Sequence, residues 1–388
     1  MLSKLEDIRN IHKETKLVGS GSNNLLNAPD ELLNYFLDVL RKEKSIVPPA
    51  VSLADWHKFI VLLSPHGISP YFYKCISILS KESLPPEEIV SAFKGIYLES
   101  VARSLRAEKQ VATIKKIFSD NNIRLLILKG AGMSKTLYKE PGLRPSVDID
   151  LLVRKNDFLK ADGILKNLGY DKKTDNFNLF QDFSIEEIYG SKDKYRQKLE
   201  LHWSMHHFPM ISGEGMIEKL FERATDSLLC PVDNMIQSST HMTMQHYDEM
   251  KLMWIMDIAL LLEQLQTPED WRDLKNVSIE WQVRPAVAHA IQLAKCWFGV
   301  KPPKEYENFI FNPNMSKLEK SLWKHSRLRY EKIFSMLYAR GAFSFISLLR
   351  FTFPPIKTMK EKFGVKNTWQ IPRCYIKRWT LLFKDCQD

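Results

Sequence analysis

From about Asp30 onward the apolar residues recur at three- and four-residue steps. Leu32, Leu33, Phe36, Leu37 and Leu40 mark one helical face, and Ser52 is placed to cap a helix beginning near Leu53. A longer helix is predicted from Ile89 to Phe118, with Val101, Leu105, Val111, Ile114 and Ile117 among its apolar positions and Asn121 and Asn122 as a stop. Between 123 and 205 the pattern shortens. Leu125 to Leu128 reads as a buried strand, Val147 to Val153 as a second, and Phe177 to Ile185 and Lys198 to Trp203 as two more. One helix lies among them, with Phe158, Ala161, Ile164, Leu165 and Leu168 as its apolar stripe and Gly169 at its end. Beyond Met216 the chain is helical again, notably over Thr240 to Leu265 and Val283 to Phe298. These periods predict an α+β chain whose small mixed sheet is embedded between N-terminal and C-terminal helical regions. The predicted divisions are a flexible tail at 1–28, a helical domain at 29–120, a mixed core at 121–210, a helical domain at 211–340 and a basic aromatic segment at 341–388.

The candidate chemistry gathers in the mixed core. The first strand runs into Leu128-Lys129-Gly130, and Ala131 to Tyr138 has helix-forming composition, so a strand delivers a helix N-terminus there. Free backbone N–H groups and the positive helix end suit a phosphate, and Lys129 adds a mobile cation. Pro141-Gly142 turns the chain into the second strand, where Asp148 and Asp150 share one face while Val147, Ile149, Leu151 and Val153 take the other. Two neighbouring carboxylates repel unless a cation lies between them, and hard oxygen ligands favour Mg²⁺, with Mn²⁺ as the alternative ion. On the strand at Leu199-Glu200-Leu201-His202, Glu200 and His202 share a face, and Glu200 is a candidate third carboxylate. His202 would orient Glu200 or a phosphate, or bond to backbone in the core. His246 and Asp257 stand eleven residues apart, about three helical turns, and would line a nucleotide pocket or pack structurally. A zinc site built from His202, His206 and His207 lacks cysteine partners and a His-Glu-x-x-His pattern.

Composition narrows the setting. A chain of 388 residues with 44% hydrophobic content can bury a large core. No apolar run reaches the roughly 18 residues of a membrane span, and the polar start from Met1 to Lys16 has no secretory apolar region, so cytoplasmic residence is expected. The five cysteines are scattered, which argues for reduced thiols. The formal charge is +10, and its excess is C-terminal: nine Lys and Arg between Gly341 and Lys384 face Glu361 alone. Phe343, Phe345, Phe351, Phe353, Trp369, Tyr375, Trp379 and Phe383 are interleaved with them. Such a segment meets an anionic membrane surface or RNA, or it packs its rings on the core and leaves its cations solvated.

The ordered set Leu-Lys-Gly at 128–130, Tyr138, Arg144, Asp148-x-Asp150 with Leu-Leu-Val, Gly169-Tyr170, Leu-Glu-Leu-His-Trp at 199–203, His241, His246, Leu252, Trp254 and Asp257-Ile-Ala resembles a known family. It is similar to the polymerase-beta-like nucleotidyltransferases, and within them to the bacterial uncharacterised nucleotidyltransferases, over roughly 85 to 385. The resemblance implies Mg²⁺ held by Asp148, Asp150 and Glu200. It also implies a nucleoside triphosphate, ATP in the expected case, contacted by Lys129, Gly130, Ser134, Arg144, His202 and His246. Glu200 would help an acceptor hydroxyl attack the α-phosphate, with pyrophosphate leaving in line. One departure stands out: Gly130 is followed by Ala131, where the superfamily often has Gly-Ser or Gly-Gly, and Ser134 comes one turn later. The acceptor implied is a small molecule, a peptide side chain or a glycan precursor. The rival readings are a toxin-type nucleotidyltransferase acting on RNA ends and a non-catalytic nucleotide-binding scaffold at a membrane surface.

Overall fold

The computed structural model describes residues 4–15, 25–173, 185–205, 214–246, 250–311, 314–317, 319, 320, 323, 353, 356–363 and 367–384. The chain opens with helices α1 (Lys4–Thr15), α2 (Asp30–Leu40), α3 (Leu53–Leu63), α4 (Ser69–Ile76) and α5 (Glu87–Asp120). Helix α3 starts where Ser52 accepts a hydrogen bond from the Asp55 N–H at 3.2 Å. Helix α5 ends at Asn121, and Asn122 takes a left-handed φ of 56°, a conformation Asn tolerates better than most residues. Within 1–28, expected to be a tail, residues 4–15 form α1. Its Leu5 and Ile8 are buried, so two apolar residues one turn apart dock an otherwise polar segment. Gly19 to Asn24 lies outside the described residues.

The sheet follows: β1 (Leu125–Leu128), α6 (Lys129–Leu137), β2 (Asp148–Val153), α7 (Phe158–Asn167), β3 (Tyr170–Lys172), β4 (Glu186–Ser191) and β5 (Lys198–His202). The strand order is β1-β2-β5-β4-β3, with β2 and β5 parallel and the other neighbours antiparallel. Ile149, Leu151 and Val153 of β2 join Leu199 and Leu201 of β5 in a core with Ile114 and Phe118 of α5 and Leu165 of α7. The opposite face of the same strands carries Asp148, Asp150, Glu200 and His202, because side chains alternate. Val147 departs from the expected pattern: it precedes β2 and is 69% exposed, so the buried row begins at Ile149. Of the strand expected over Phe177 to Ile185, residues 177–184 lie outside those described, and the strand present begins at Glu186.

The polar face of the sheet looks toward the second helical region, α8 (Glu214–Arg223), α9 (Pro231–Thr240), α10 (Leu252–Gln264), α11 (Pro268–Glu280) and α12 (Arg284–Phe298), continued by α13 (Lys304–Phe311). These helices share a second, larger core with α1 to α4, in which Trp56, Trp281 and Trp297 are fully enclosed. The single helix expected from Thr240 to Leu265 is interrupted. Helix α9 ends at Thr240, His241–Gln245 form a π-turn, and α10 begins at Leu252. Helices α14 (Ile356–Phe363) and α15 (Ile371–Lys384) follow near the C-terminus. There Trp369 and Phe353 are exposed while Arg378 is buried, the reverse at these positions of packed rings and solvated cations. Phe343, Phe345 and Phe351 lie outside the described residues. No described helix is long and apolar enough to cross a membrane.

His66 ties the two helical regions together: it is buried, and its Nδ1 accepts the N–H of Leu252 at the start of α10, at 3.4 Å. Burial, reinforced by the Lys251 charge, pushes its pKa down to about 4. The unfolded chain therefore binds a proton near pH 6.5 that the folded chain refuses. Stability is full above pH 6.5 and falls as the pH drops from 6.5 toward 4, by about 3 kcal/mol in total. His66→Asn, which keeps an acceptor but cannot titrate, is expected to flatten that part of the profile in urea denaturation at pH 7 and pH 5. An unchanged slope would refute the assignment.

Candidate active site

The site starts at the junction of β1 and α6. Lys129 takes a left-handed φ of 43°, unusual outside glycine, and this turns the chain from the strand directly into the helix. Its N–H points to Gln237 Oε1 of α9 at 3.4 Å. Gly130 is required for space: a Cβ there would collide with the Ser146 side chain and the Arg144 guanidinium. The Pro141-Gly142 turn is pinned to α5, where Ser100 Oγ donates to the Gly142 carbonyl at 2.7 Å. A Cβ on Gly142 would strike the Val101 backbone. The segment from Leu143 to Ser146 is thus held against the N-terminus of α6.

Parallel pairing of β2 with β5 sets Asp148 opposite Lys198, Asp150 opposite Glu200 and Leu152 opposite His202. Asp150 is buried, and its Oδ1 accepts from Lys129 Nζ at 2.8 Å and lies 3.0 Å from His202 Nε2. The other ring nitrogen of His202 is 2.9 Å from Glu186 Oε2 on β4, its partner across the antiparallel pair. Glu200 pairs with Lys198 at 2.7 Å, and its other oxygen lies 3.8 Å from His202 Nε2. Donor atoms of Asp150, Glu200 and His202 all fall within 4.8 Å of one another, close enough to share a metal ion. The expected trio of Asp148, Asp150 and Glu200 is therefore not the tight cluster among the described residues. Asp148 sits at the strand entrance, with Ser146 Oγ donating to its backbone carbonyl at 2.6 Å and lying 3.4 Å from its carboxylate.

Electrostatics separate the acids. Burial would raise the Asp150 pKa, but the Lys129 ammonium and the His202 ring outweigh it and hold the carboxyl well below the usual range. Burial and the charge on Asp150 raise Asp148, and the same two causes raise Glu200. His202 is pushed the opposite way from its burial: Lys129 also disfavours its charge, yet its bonds to Asp150 and Glu186 carry it up to about 9. The carboxylates of the cluster are thus offset from within by Lys129 and a protonated His202. A metal ion would have to compete with that proton and with the ammonium.

Arg144, expected near a polyphosphate, has a different visible role. It is buried, with Nε and Nη2 both donating to Asp257 at 2.8 to 3.1 Å. Tyr138 adds a 2.8 Å bond to the same carboxylate. Asp257 therefore anchors the loop before β2 to α10, which explains its place in the motif without a ligand. His246 does not share a helix face with Asp257, because the π-turn and the break after it intervene. Its ring lies 4.5 Å from His241 and 5.5 Å from Trp254, centroid to centroid. Ser134 lies a turn into α6 and lines a cavity against α5. Sequence reasoning missed Glu186, Lys198, Gln237 and Ser146. Lys198 was detectable two positions before Glu200 on the same face; Glu186 and Gln237 arrive through tertiary pairing alone.

Residues 52–299, from just before α3 to just after α12, match the profile of a family described as uncharacterised nucleotidyltransferase. The chain belongs to that family. No curated protein matches the chain. As a member it is a nucleotidyltransferase, and its Asp150, Glu200 and His202 cluster could hold a metal ion.

Breaking the buried Arg144–Asp257 pair from one side leaves an unpaired charge. Asp257→Asn is expected to cost about 3–5 kcal/mol in denaturant unfolding, and Arg144→Met with Asp257→Leu to recover most of it. A single-variant cost below about 1 kcal/mol would contradict the anchoring role.

Proposed function

We propose that this nucleotidyltransferase transfers a nucleoside monophosphate, from ATP in the first instance, to a hydroxyl acceptor, with Mg²⁺ held by Asp150 and Glu200 and supported by Asp148. The observation that carries the reading is the register of two parallel strands. It sets Asp150 beside Glu200 next to the N-terminus of α6, which supports a reading in which metal and phosphate bind side by side. A bound Mg²⁺ supplies charge neutralisation for the triphosphate and the leaving pyrophosphate.

The chain's own groups have separate tasks. The N–H groups of the first turn of α6 receive phosphate oxygens, and Gly130 leaves room for the Ser146 and Arg144 side chains that pack beside that turn. Lys129 moves its ammonium from Asp150 to the phosphates, while His202, braced by Glu186, holds the Asp150 carboxylate in place. Glu200 takes the proton of the acceptor hydroxyl as its oxygen bonds to the α-phosphorus; the bond from that phosphorus to the bridging oxygen breaks, and pyrophosphate leaves. Arg144 acts through position, keeping Ser146 and Asp148 aligned, and His246 closes the nucleoside side of the site with His241 and Trp254.

Purified protein incubated with α-labelled ATP, Mg²⁺ and fractions containing metabolites, peptides or glycan precursors is expected to transfer label. Chelation should stop transfer, and added Mg²⁺ or Mn²⁺ should restore it. Asp150→Asn is expected to lower transfer by at least about 1,000-fold, the scale of several kcal/mol of lost charge stabilisation. Undiminished transfer by Asp150→Asn, or nucleotide binding with no transfer across the whole acceptor screen, would remove the catalytic reading.

A further inference from the structure

Helix α9 and the π-turn after it carry Gln237, His241 and Gln245 at intervals of four residues. Gln237 and His241 share a helix face, since the His241 N–H closes a regular turn on the Gln237 carbonyl. Two hydrogen bonds fix where this row lies. Gln237 Oε1 stands 3.4 Å from the Lys129 N–H at the start of α6, and Gln245 Nε2 donates at 3.4 Å to the carbonyl of Met205, just past the end of β5. His241 therefore sits between the phosphate turn and the end of β5, the two places from which Lys129 and His202 reach Asp150. Its ring senses both partners of that pair. Burial is the largest effect and holds its pKa well below the usual histidine value, while the Lys129 charge disfavours and the Asp150 charge favours its protonation.

The tautomer follows from the same contacts. With its amide nitrogen on Met205, Gln245 turns Oε1 to His241 Nδ1 at 3.1 Å, so Nδ1 carries the proton of the neutral ring. The lone pair is left on Nε2. No described residue donates to that nitrogen, and the side chain is only half-buried. Beyond it the ring meets His246 at 4.5 Å and Trp254 at 4.9 Å, centroid to centroid. Along α9 and its π-turn the order is thus phosphate turn, accepting imidazole, aromatic rings. Phosphate, sugar and base follow one another in the same order in a nucleotide.

We propose that His241 is the sugar-recognising residue of the nucleotide site, its Nε2 accepting a hydrogen bond from a ribose hydroxyl, so that the enzyme selects ribonucleotides over deoxyribonucleotides. The phosphates lie at the first turn of α6, and the base lies toward His246 and Trp254. A neutral ring that accepts does nothing for the triphosphate charge, so His241 distinguishes sugars without adding to phosphate affinity. A deoxynucleotide leaves this acceptor unpaired, and a site built to hydrogen-bond a hydroxyl rejects the analogue that lacks it. The assignment rests on the nucleotidyl-transfer reading and names the class of nucleotide that reading left open.

The test is calorimetric titration of the whole chain, with Mg²⁺, by α,β-methylene-ATP and by its 2′-deoxy and 3′-deoxy forms. The parent protein is expected to bind the ribonucleotide about five-fold or more tightly than one of the two deoxy forms, the scale of one hydrogen bond. That ratio needs no variant, so it decides the matter even where a substitution unfolds the chain. His241→Phe keeps a ring against His246 and Trp254 but has no lone pair. It should lower ribonucleotide affinity to that of the discriminated deoxy form, whose own affinity changes less than about two-fold. Equal affinity of the parent for all three nucleotides would overturn the proposal while leaving the nucleotide site in place. If His241→Phe then slowed transfer at saturating nucleotide, the hydroxyl it meets would belong to the acceptor. An equal loss for all three nucleotides in His241→Phe would also overturn it, by making the ring a structural support. Failure of the parent to bind any of the three would remove the nucleotide reading itself, and this assignment with it.

Discussion

A buried carboxylate needs a counter-charge, and in this molecule that requirement falls on Asp150. Its oxygen is met by Lys129 from the start of α6 and by His202 from β5, and His202 is met in turn by Glu186 from β4. Four elements are thus tied together through one atom and its neighbours. The strand register imposes the cluster, because an Asp on β2 opposite a Glu on parallel β5 cannot be separated from it without shifting the sheet. Arranged this way, the protein supplies internally the positive charge that a bound cation would otherwise bring to the carboxylates. A metal ion entering this cluster would have to displace an ammonium and a proton.

Support for the cluster comes from more distant contacts. Gly142 docks the turn before β2 on α5, and Asp257 of α10 receives both Arg144 and Tyr138. The long helix and the second helical region therefore grip the same short segment, Leu143 to Ser146, from opposite sides. That segment forms one wall of the carboxylate site and one wall of the cavity between α5 and α6. A change in either helical region has a direct mechanical route to Asp148 through Ser146.

Much of the fold was legible because it is written in short-range pattern. The apolar row of β2, the stripe of α7 and the Ser52 cap each follow from local spacing, and so does the shared face of Asp150, Glu200 and His202 once the strands are paired. The limits were equally physical. Helical periodicity cannot show that five residues after Thr240 adopt a π-turn, so His246 and Asp257 were placed on one helix that the structure breaks. Nor can a motif separate a guanidinium kept for phosphate from one already spent on a carboxylate, and Arg144 is the second kind in this structure. Asp148 and Asp150 look equivalent in sequence. Only the register, with Lys198 beside one and Glu200 beside the other, tells them apart.

The central claim is that Asp150 and Glu200 form a metal position now held neutral by Lys129 and His202. A crystal grown with Mn²⁺ and α,β-methylene-ATP, measured for anomalous scattering, tests it most directly. The account predicts a manganese peak in contact with both carboxylates, Lys129 Nζ moved from Asp150 to the phosphates, and His202 still braced by Glu186. A peak elsewhere with Lys129 remaining on Asp150, or nucleotide bound away from the N-terminus of α6, would contradict it.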